Sequence, residues 1–148
     1  VYGGEGNDTI QGGGGSDVMY GGDGNDLLIG NDAADKFYGG AGNDTMQGSS
    51  GDDTYYFTRE SSRTNNDTIT DAGGNNTLVV FGTSGRSAFT MNDVTLSQGN
   101  GVWTLTFNRG GDSISFNPDS VQNIDFRASA EGSNVQHWVW DGDSYNIA

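Results

Sequence analysis

A nine-residue repeat opens this chain and runs for six units without insertion or deletion. The units are GGEGNDTIQ (residues 3–11), GGGGSDVMY (12–20), GGDGNDLLI (21–29), GNDAADKFY (30–38), GGAGNDTMQ (39–47) and GSSGDDTYY (48–56). Asp holds the sixth place throughout, as Asp8, Asp17, Asp26, Asp35, Asp44 and Asp53. A large apolar residue holds the eighth, as Ile10, Met19, Leu28, Phe37, Met46 and Tyr55. A fixed period of this kind is the signature of a stacked coil, in which each place forms a column and no single unit can bury its apolar side alone. The stretch GGGGS at residues 12–16 has the text of a flexible linker. It falls in phase with its neighbours, and so reads as the turn of the second unit.

Six of the nine places, GGxGxD, are turn-like, and three, xUx, make a minimal strand. Glycine accepts positive φ and lets backbone approach a ligand closely. Successive turn carbonyls can therefore aim at one point, with a carboxylate completing the shell. An all-oxygen shell rich in backbone carbonyls suits calcium better than magnesium, which keeps its waters and a strict octahedron. No loop has the twelve-residue spacing and bidentate Glu of an EF-hand. Two nonapeptides make one coil, so turns stack on two opposite edges with an 18-residue period. One edge carries Asp8, Asp26 and Asp44; the other carries Asp17, Asp35 and Asp53. Stacked strands lie about 4.8 Å apart. Carboxylates at that spacing repel by roughly 1 kcal/mol in water, and by more at lower dielectric. A cation between successive turns converts that repulsion into cohesion. The pairs 8/26, 26/44, 17/35 and 35/53 give four interior sites, so about four or more ions are expected.

The array resembles the RTX (repeats-in-toxin, haemolysin-type) secreted proteins, whose known calcium-binding repeat is GGxGxDxUx. The resemblance implies an all-β fold: a right-handed parallel β-roll (β-solenoid) with Ca2+ between stacked turns, capped by a C-terminal β-hairpin/β-sheet region. It also implies a ligand scheme, with main-chain oxygens from the first and third places of one turn and the second and fourth of its partner. Gly3, Glu5, Gly22 and Gly24 would then surround Asp8 and Asp26. Carried along the array, the scheme adds Gly12, Gly14, Gly21, Asp23, Gly30, Asp32, Gly39, Gly40, Gly42 and Gly51. One unit departs from the family pattern, with Asn31 and Ala33 where the family has Gly. The two sites sharing that turn are expected to be weaker or geometrically altered. Ser49 is a milder departure.

The ninefold frame breaks after Tyr56. Residues 57–66, FTRESSRTNN, read as an insertion. DTITD (67–71) and GGNNTLVVF (73–81) read as two degenerate rungs, which makes 57–81 a transition between the roll, 1–56, and a cap, 82–148. Asn76 stands where a metal-binding Asp is expected and is the poorer ligand. Asp67 and Asp71 are the candidates for one additional ion. From residue 88 the texture is ordinary β. FTMNDVTLSQ and VWTLTFN flank Gly99-Asn100-Gly101, a hairpin signal. Trp103, Leu105 and Phe107 fall on one face of that hairpin, and Val102, Thr104 and Thr106 on the other. SISF, VQNIDF and VQHWVW follow as strands, then DGDSYNI. All three Trp lie in this half, as a solenoid's cap requires. DTITDAGGNNTLVVF, VTLSQGNGVWTLTFNRGGDSISF and VQNIDF are similar, in strand rhythm and a few Gly/Asp positions, to the segment that follows the last repeats in RTX proteins.

The charge balance narrows the partners. Twenty acidic and six basic residues give a net charge of -14, which opposes nucleic acid and an anionic membrane surface and favours cations. Four calcium ions would bring -14 to -6. With no Cys there is no disulfide framework, Cys-zinc site or thiol nucleophile. No apolar run is long enough for a transmembrane segment, and no signal peptide opens the chain. The abrupt start reads as a fragment of a larger protein. Few hydrophobics with high net charge is a disorder signature, and the calcium-free array is expected to be disordered. His137, the lone histidine, lacks the flanking pattern of a triad and reads as surface or packing. Glu5, Glu60 and Glu131 are not brought into a cleft by any feature of the sequence, as glycoside hydrolysis would need. GGEGND and GGDGND open no helix that could cradle phosphate. The fragment reads as non-enzymatic.

Two functions fit. One is a folding and stability module of a larger secreted protein. Calcium binding then is folding, and extracellular modules bind at about 10⁻⁴–10⁻³ M, far above calcium inside a bacterium. The RTX resemblance implies a Gram-negative parent exported unfolded through the type I secretion machinery, with calcium-driven folding outside. The partners are then calcium, the parent polypeptide and that machinery. The second is a recognition module for polysaccharide, similar to the R-modules of alginate epimerases, with Trp138, Trp140 and Tyr145 as a sugar platform or calcium as a bridge. Its basic residues are few: Lys36, Arg59, Arg63, Arg86, Arg109 and Arg127.

Overall fold

The computed structural model describes residues 1–58, 65–81, 93–108, 110–127, 134–140, 142 and 144–147. Nine short strands coil through the repeats and the two degenerate rungs: β1 (Tyr2–Glu5), β2 (Thr9–Gly14), β3 (Val18–Asp23), β4 (Leu27–Asp32), β5 (Lys36–Ala41), β6 (Thr45–Ser49), β7 (Thr54–Thr58), β8 (Asn66–Thr70) and β9 (Thr77–Phe81). Odd strands pair in parallel with odd strands, and even with even. The registers step by the expected 18 residues: Tyr2 faces Tyr20, Met19 faces Phe37, and Leu28 faces Met46. GGGGS lies in this coil as structure: β2 runs into it, and Gly13 and Gly15 turn the chain at φ 100° and 93°.

The strand positions explain the fold. Each three-residue xUx segment turns its first and third side chains outward, where they are exposed or half-buried, and buries the second, the alternation of a pleated strand. The eighth-place residues therefore stack as two facing columns between the sheets, from Ile10 through Met19, Leu28, Phe37 and Met46 to Tyr55. Burying each such side chain stabilises by roughly 1.5–3 kcal/mol. On the outer face of the odd-numbered sheet the ninth place forms a second ladder. Tyr2, Tyr20, Tyr38 and Tyr56 stack with centroids 4.9, 4.6 and 4.3 Å apart.

The C-terminal half prolongs both sheets. β12 (Ser113–Phe116) pairs in parallel with β8, and β13 (Asn123–Arg127) in parallel with β9, so this pair is one more rung. Antiparallel strands then finish each sheet: β10 (Val94–Gly99) and β11 (Val102–Phe107) beyond β12, β14 (Asn134–Trp140) and β15 (Tyr145–Ile147) beyond β13. The β10–β11 hairpin turns at Asn100 and Gly101, both at positive φ (55° and 79°), as a two-residue hairpin turn demands. Leu105 and Phe107 are buried on one face while Val102 is exposed on the other. Trp103, Trp138 and Tyr145 pack against the apolar core as the sequence suggests for a cap.

The insertion is shorter than the sequence implies. Phe57 and Thr58 belong to β7, with Phe57 fully buried against Phe107 of the cap, and Asn66 opens β8. The apolar stripe of β7 continues one step past the repeat because the cap supplies a surface there. Arg59, Glu60, Arg63, Arg86, Arg109 and Glu131 lie outside the described residues.

Candidate metal centres

The turns form a ladder whose direction decides which oxygens meet. The N–H of Gly6 donates to the carbonyl of Asp23 at 2.7 Å, and that of Gly24 to Ala41 at 2.8 Å. The carbonyl oxygens of Gly4 and Gly6 abut Gly22 and Gly24 of the next turn, while that of Gly21 points back at Gly3. Even places thus face forward along the coil and odd places face back, because N–H and C=O of one residue share a direction in extended backbone. The gap between turns 3–8 and 21–26 is therefore lined by the carbonyls of Gly4, Gly6, Gly21 and Asp23. This corrects the expected pairing. The carbonyls of Gly22 and Gly24 serve the following gap, beside Gly40 and Gly42. The alternating places are those the family scheme names, but the earlier turn gives the even ones and the later turn the odd ones. Gly39 and Gly51 take part in this ladder, the Gly39 carbonyl pointing back at Gly21 and the Ala33 carbonyl abutting Gly51. On the second edge Gly30 and Asp32 are odd places of the second turn, while Gly12 and Gly14 are odd places of the first and have no earlier turn to face, which corrects their expected role.

The carboxylates are held in one way. From the second coil on, each sixth-place Oδ1 accepts the backbone N–H of the Asp one coil earlier: Asp8 to Asp26 at 2.8 Å, Asp26 to Asp44 at 2.8 Å, Asp17 to Asp35 at 2.7 Å and Asp35 to Asp53 at 2.8 Å. The second oxygen, Oδ2, is buried without a hydrogen-bond partner in all six. An unsatisfied buried polar atom costs about 1–3 kcal/mol, and a charged one more. Its surroundings show what it is placed for. A methyl group on Gly3 would lie 2.7 Å from Asp8 Oδ2 and 2.5 Å from the Gly21 carbonyl oxygen. On Gly21 it would overlap Asp26 Oδ2 and the Gly39 carbonyl. The first-place glycine keeps open the point where carboxylate and carbonyl oxygens converge. These residues fit calcium. Among the described residues no three acidic or His side chains converge, so the shell depends on main-chain carbonyls, the ligands of a hard cation.

Burial sets the electrostatics. It pushes the carboxyl of Asp35 up, with the charge of Asp17 adding to it. Asp44 rises to about 6 by burial and the neighbouring Asp26. Asp53 rises to about 7, by burial and then by the charges of Asp71 and Asp35. Backbone N–H donors oppose the shift in each case. A divalent cation would reverse the balance by favouring the ionised form.

The divergent unit keeps the coil and changes its torsions. Asn31 and Ala33 take φ of 78° and 77°, and Ser49 takes 85°, where Gly22 and Gly24 take 118° and 136°. Non-glycine residues there cost about 1–2 kcal/mol each, with Asn the more tolerant. On the same edge one coil earlier Gly13 and Gly15 take 100° and 93°, so the coil accepts this unit with a smaller φ at both places.

Asp67 and Asp71 do not share an ion. Asp67 continues the first column, accepting the Asp44 N–H at 3.0 Å, and Asp71 sits at the other end of β8, about 13 Å away at 3.3 Å per residue. Asp71 instead belongs to the second edge. Its Oδ2 accepts the Tyr55 hydroxyl, and it converges with Asp53 Oδ2 on Gly48. Asn76 fills the sixth place with amide chemistry. Its Oδ1 accepts the Asp53 N–H at 2.8 Å, and its Nδ2 donates to the carbonyls of Gly73 and Ser120 at 2.9 and 3.2 Å. Burial, Asp44 and Asp112 together push Asp67 up to about 8. Sequence reasoning passed over Asn65, Asp112 and the Tyr55 hydroxyl. The Gly-Gly-Asp text before SISF is the signal that could have shown Asp112 as a further turn. His137 is half-buried beside Asp125, which it meets across β13 and β14 in register.

Residues 1–28 and 29–59 match the family model of the RTX calcium-binding nonapeptide repeat (4 copies). Residues 1–59 are an RTX repeat array. The RTX array makes this an all-β, calcium-binding module, with parallel strands stacked in two sheets. The cap lies beyond the matched residues. No curated protein matches the chain. Among the described residues no helix is long and apolar enough to cross a membrane.

Proposed function

We propose that this chain is a calcium-driven folding and stability module of a larger secreted bacterial protein, with no catalysis of its own. The observation that carries this reading is the pair of columns of buried Asp Oδ2 atoms with no hydrogen-bond partner. Without a cation each coil adds another desolvated carboxylate to a repelling column. With calcium each coil adds a site. Binding free energy therefore appears as folding free energy. At an affinity of about 10⁻⁴–10⁻³ M the chain stays unfolded where calcium is scarce and folds where it is abundant. That behaviour suits export in an unfolded state through a type I channel, with folding outside the cell. The cap supports the order of events. Its rung pairs in parallel with β8 and β9 and offers a template on which the RTX coils can stack.

The polysaccharide reading draws less support from the rings named for it. Trp138 stands edge-on to Phe126 at 5.1 Å, and Trp103, Trp140 and Tyr145 contact one another at 5.2–6.0 Å. These contacts are those of a packed cap. The test is a calcium titration read by far-UV circular dichroism and Trp fluorescence, with magnesium as control. The expected result is a cooperative gain of β structure near millimolar calcium that magnesium does not reproduce. A chain fully folded in chelator would overturn the proposal.

A further inference from the structure

The two edges of the roll end differently where the cap begins. On the second edge the sixth place is Asn76, whose oxygen and nitrogen are both hydrogen-bonded. That sixth place is neutral and its polar atoms are satisfied by protein groups alone. On the first edge the strand after β8 is β12, and the residue set against Asn65 is Asp112. Asp112 Oδ1 accepts the Asn65 N–H at 2.9 Å, and the Asn65 carbonyl accepts the Ser113 N–H at 2.7 Å. This is the arrangement by which each repeat Asp from the second coil on is held by the coil before it. Asp112 is completely buried and its Oδ2 has no hydrogen-bond partner. Asn65 is 1% exposed. Its Nδ2 donates to the Gly40 carbonyl at 3.0 Å and its Oδ1 is also unpartnered. Asp67, two residues on and inside β8, is buried as well.

We propose that Asp112 of the cap, with Asn65 Oδ1 and Asp67 of β8, forms a further calcium site that fastens the cap to the roll. The ligand class is a hard divalent cation. The amide oxygen and the two carboxylates are all oxygen donors, as calcium requires. The site lies outside the nonapeptide repeats and joins residues 45 or more apart in sequence. It makes calcium the clamp between two parts of the fold as well as the filler between coils. The proposal rests on the calcium-binding reading of the RTX array.

The test uses the full chain. Asp112→Asn keeps the oxygen that accepts the Asn65 N–H and removes the charge, and Asn76 shows that an amide is accommodated at such a junction. D112N is expected to bind one calcium fewer than wild type by isothermal titration, and its cap Trp fluorescence should respond only at several-fold higher calcium. Unchanged stoichiometry and midpoint would overturn the proposal. Should D112N fail to fold, anomalous diffraction from wild-type crystals grown in calcium decides. A peak beside Asp112 Oδ2 and Asn65 Oδ1 supports the site, and peaks along the Asp8–Asp26–Asp44 column with none at Asp112 refute it. Peaks nowhere would instead refute the calcium reading of the whole roll.

Discussion

Replacing Gly21 by Ala tests the metal geometry at a single carbon atom. Gly21 lies outside the positive-φ region, so its backbone accepts alanine without strain. The added methyl group, however, would overlap Asp26 Oδ2 and the Gly39 carbonyl oxygen. These are two of the oxygens facing the gap between turns 21–26 and 39–44, and the ion there is expected to be lost. At about 10 mM calcium and a dissociation constant of about 10⁻⁴–10⁻³ M, one site contributes RT ln(1 + [L]/Kd), or about 1.4–2.7 kcal/mol. With an m-value of about 2 kcal/mol/M this lowers the urea midpoint by roughly 1 M. Gly14→Ala is the matched control. Gly14 has ordinary φ and nothing within 4 Å of its added carbon, so G14A should be neutral or gain about 0.4–1 kcal/mol through the unfolded chain. Urea unfolding followed by Trp fluorescence, with calcium stoichiometry by titration calorimetry, reads both effects. Equal midpoints and equal stoichiometry for G21A and G14A would refute the placement of the ion beside the first-place glycine.

Three further outcomes are expected. In chelator the chain should gain β structure as pH falls from about 8 to about 4.5. Asp44, Asp53 and Asp67 titrate at about 6, 7 and 8 when folded against 3.8 as ordinary carboxyls, so folding takes up protons in that window and calcium-free stability falls as pH rises; a flat circular-dichroism profile would contradict this. Asn76→Asp replaces two amide donations to Gly73 and Ser120 by a carboxylate facing carbonyl oxygens, which costs about 1–3 kcal/mol at low calcium, while saturating calcium should add one bound ion; calorimetry at both concentrations checks the reversal. Ala33→Gly relieves a φ of 77°, a gain of about 1–2 kcal/mol less about 0.4–1 kcal/mol of unfolded-chain entropy, and a raised melting temperature in calcium is the readout.

The cap shows where sequence patterning runs out. Its strands announce themselves through alternation and the Asn-Gly turn, but their partners do not. β10 and β11 follow the rungs in sequence, yet they stack beyond β12, which the chain reaches later. No local signal states that β12 and β13 are a parallel rung, because parallel pairing joins residues far apart and leaves no turn text behind. The same blindness separates Asp67 from Asp71. Five residues of sequence place them together, whereas one strand's length sets them on opposite edges.

In the repeats the sequence alone determined nearly everything. A strict ninefold period fixes the coil, the six Asp places fix two columns, and the apolar eighth place fixes which side faces in. Backbone direction was not written there. Which carbonyls share a gap depends on the alternation of C=O along an extended chain, and so tertiary structure assigned Gly4 and Gly6 to Gly21 and Asp23. It also decided how the roll ends: an amide at Asn76 closes one edge with hydrogen bonds, and a buried carboxylate at Asp112 leaves the other asking for a cation. Both depend on contacts across more than 40 residues of chain, a distance at which only packing, and no local pattern, selects the partner.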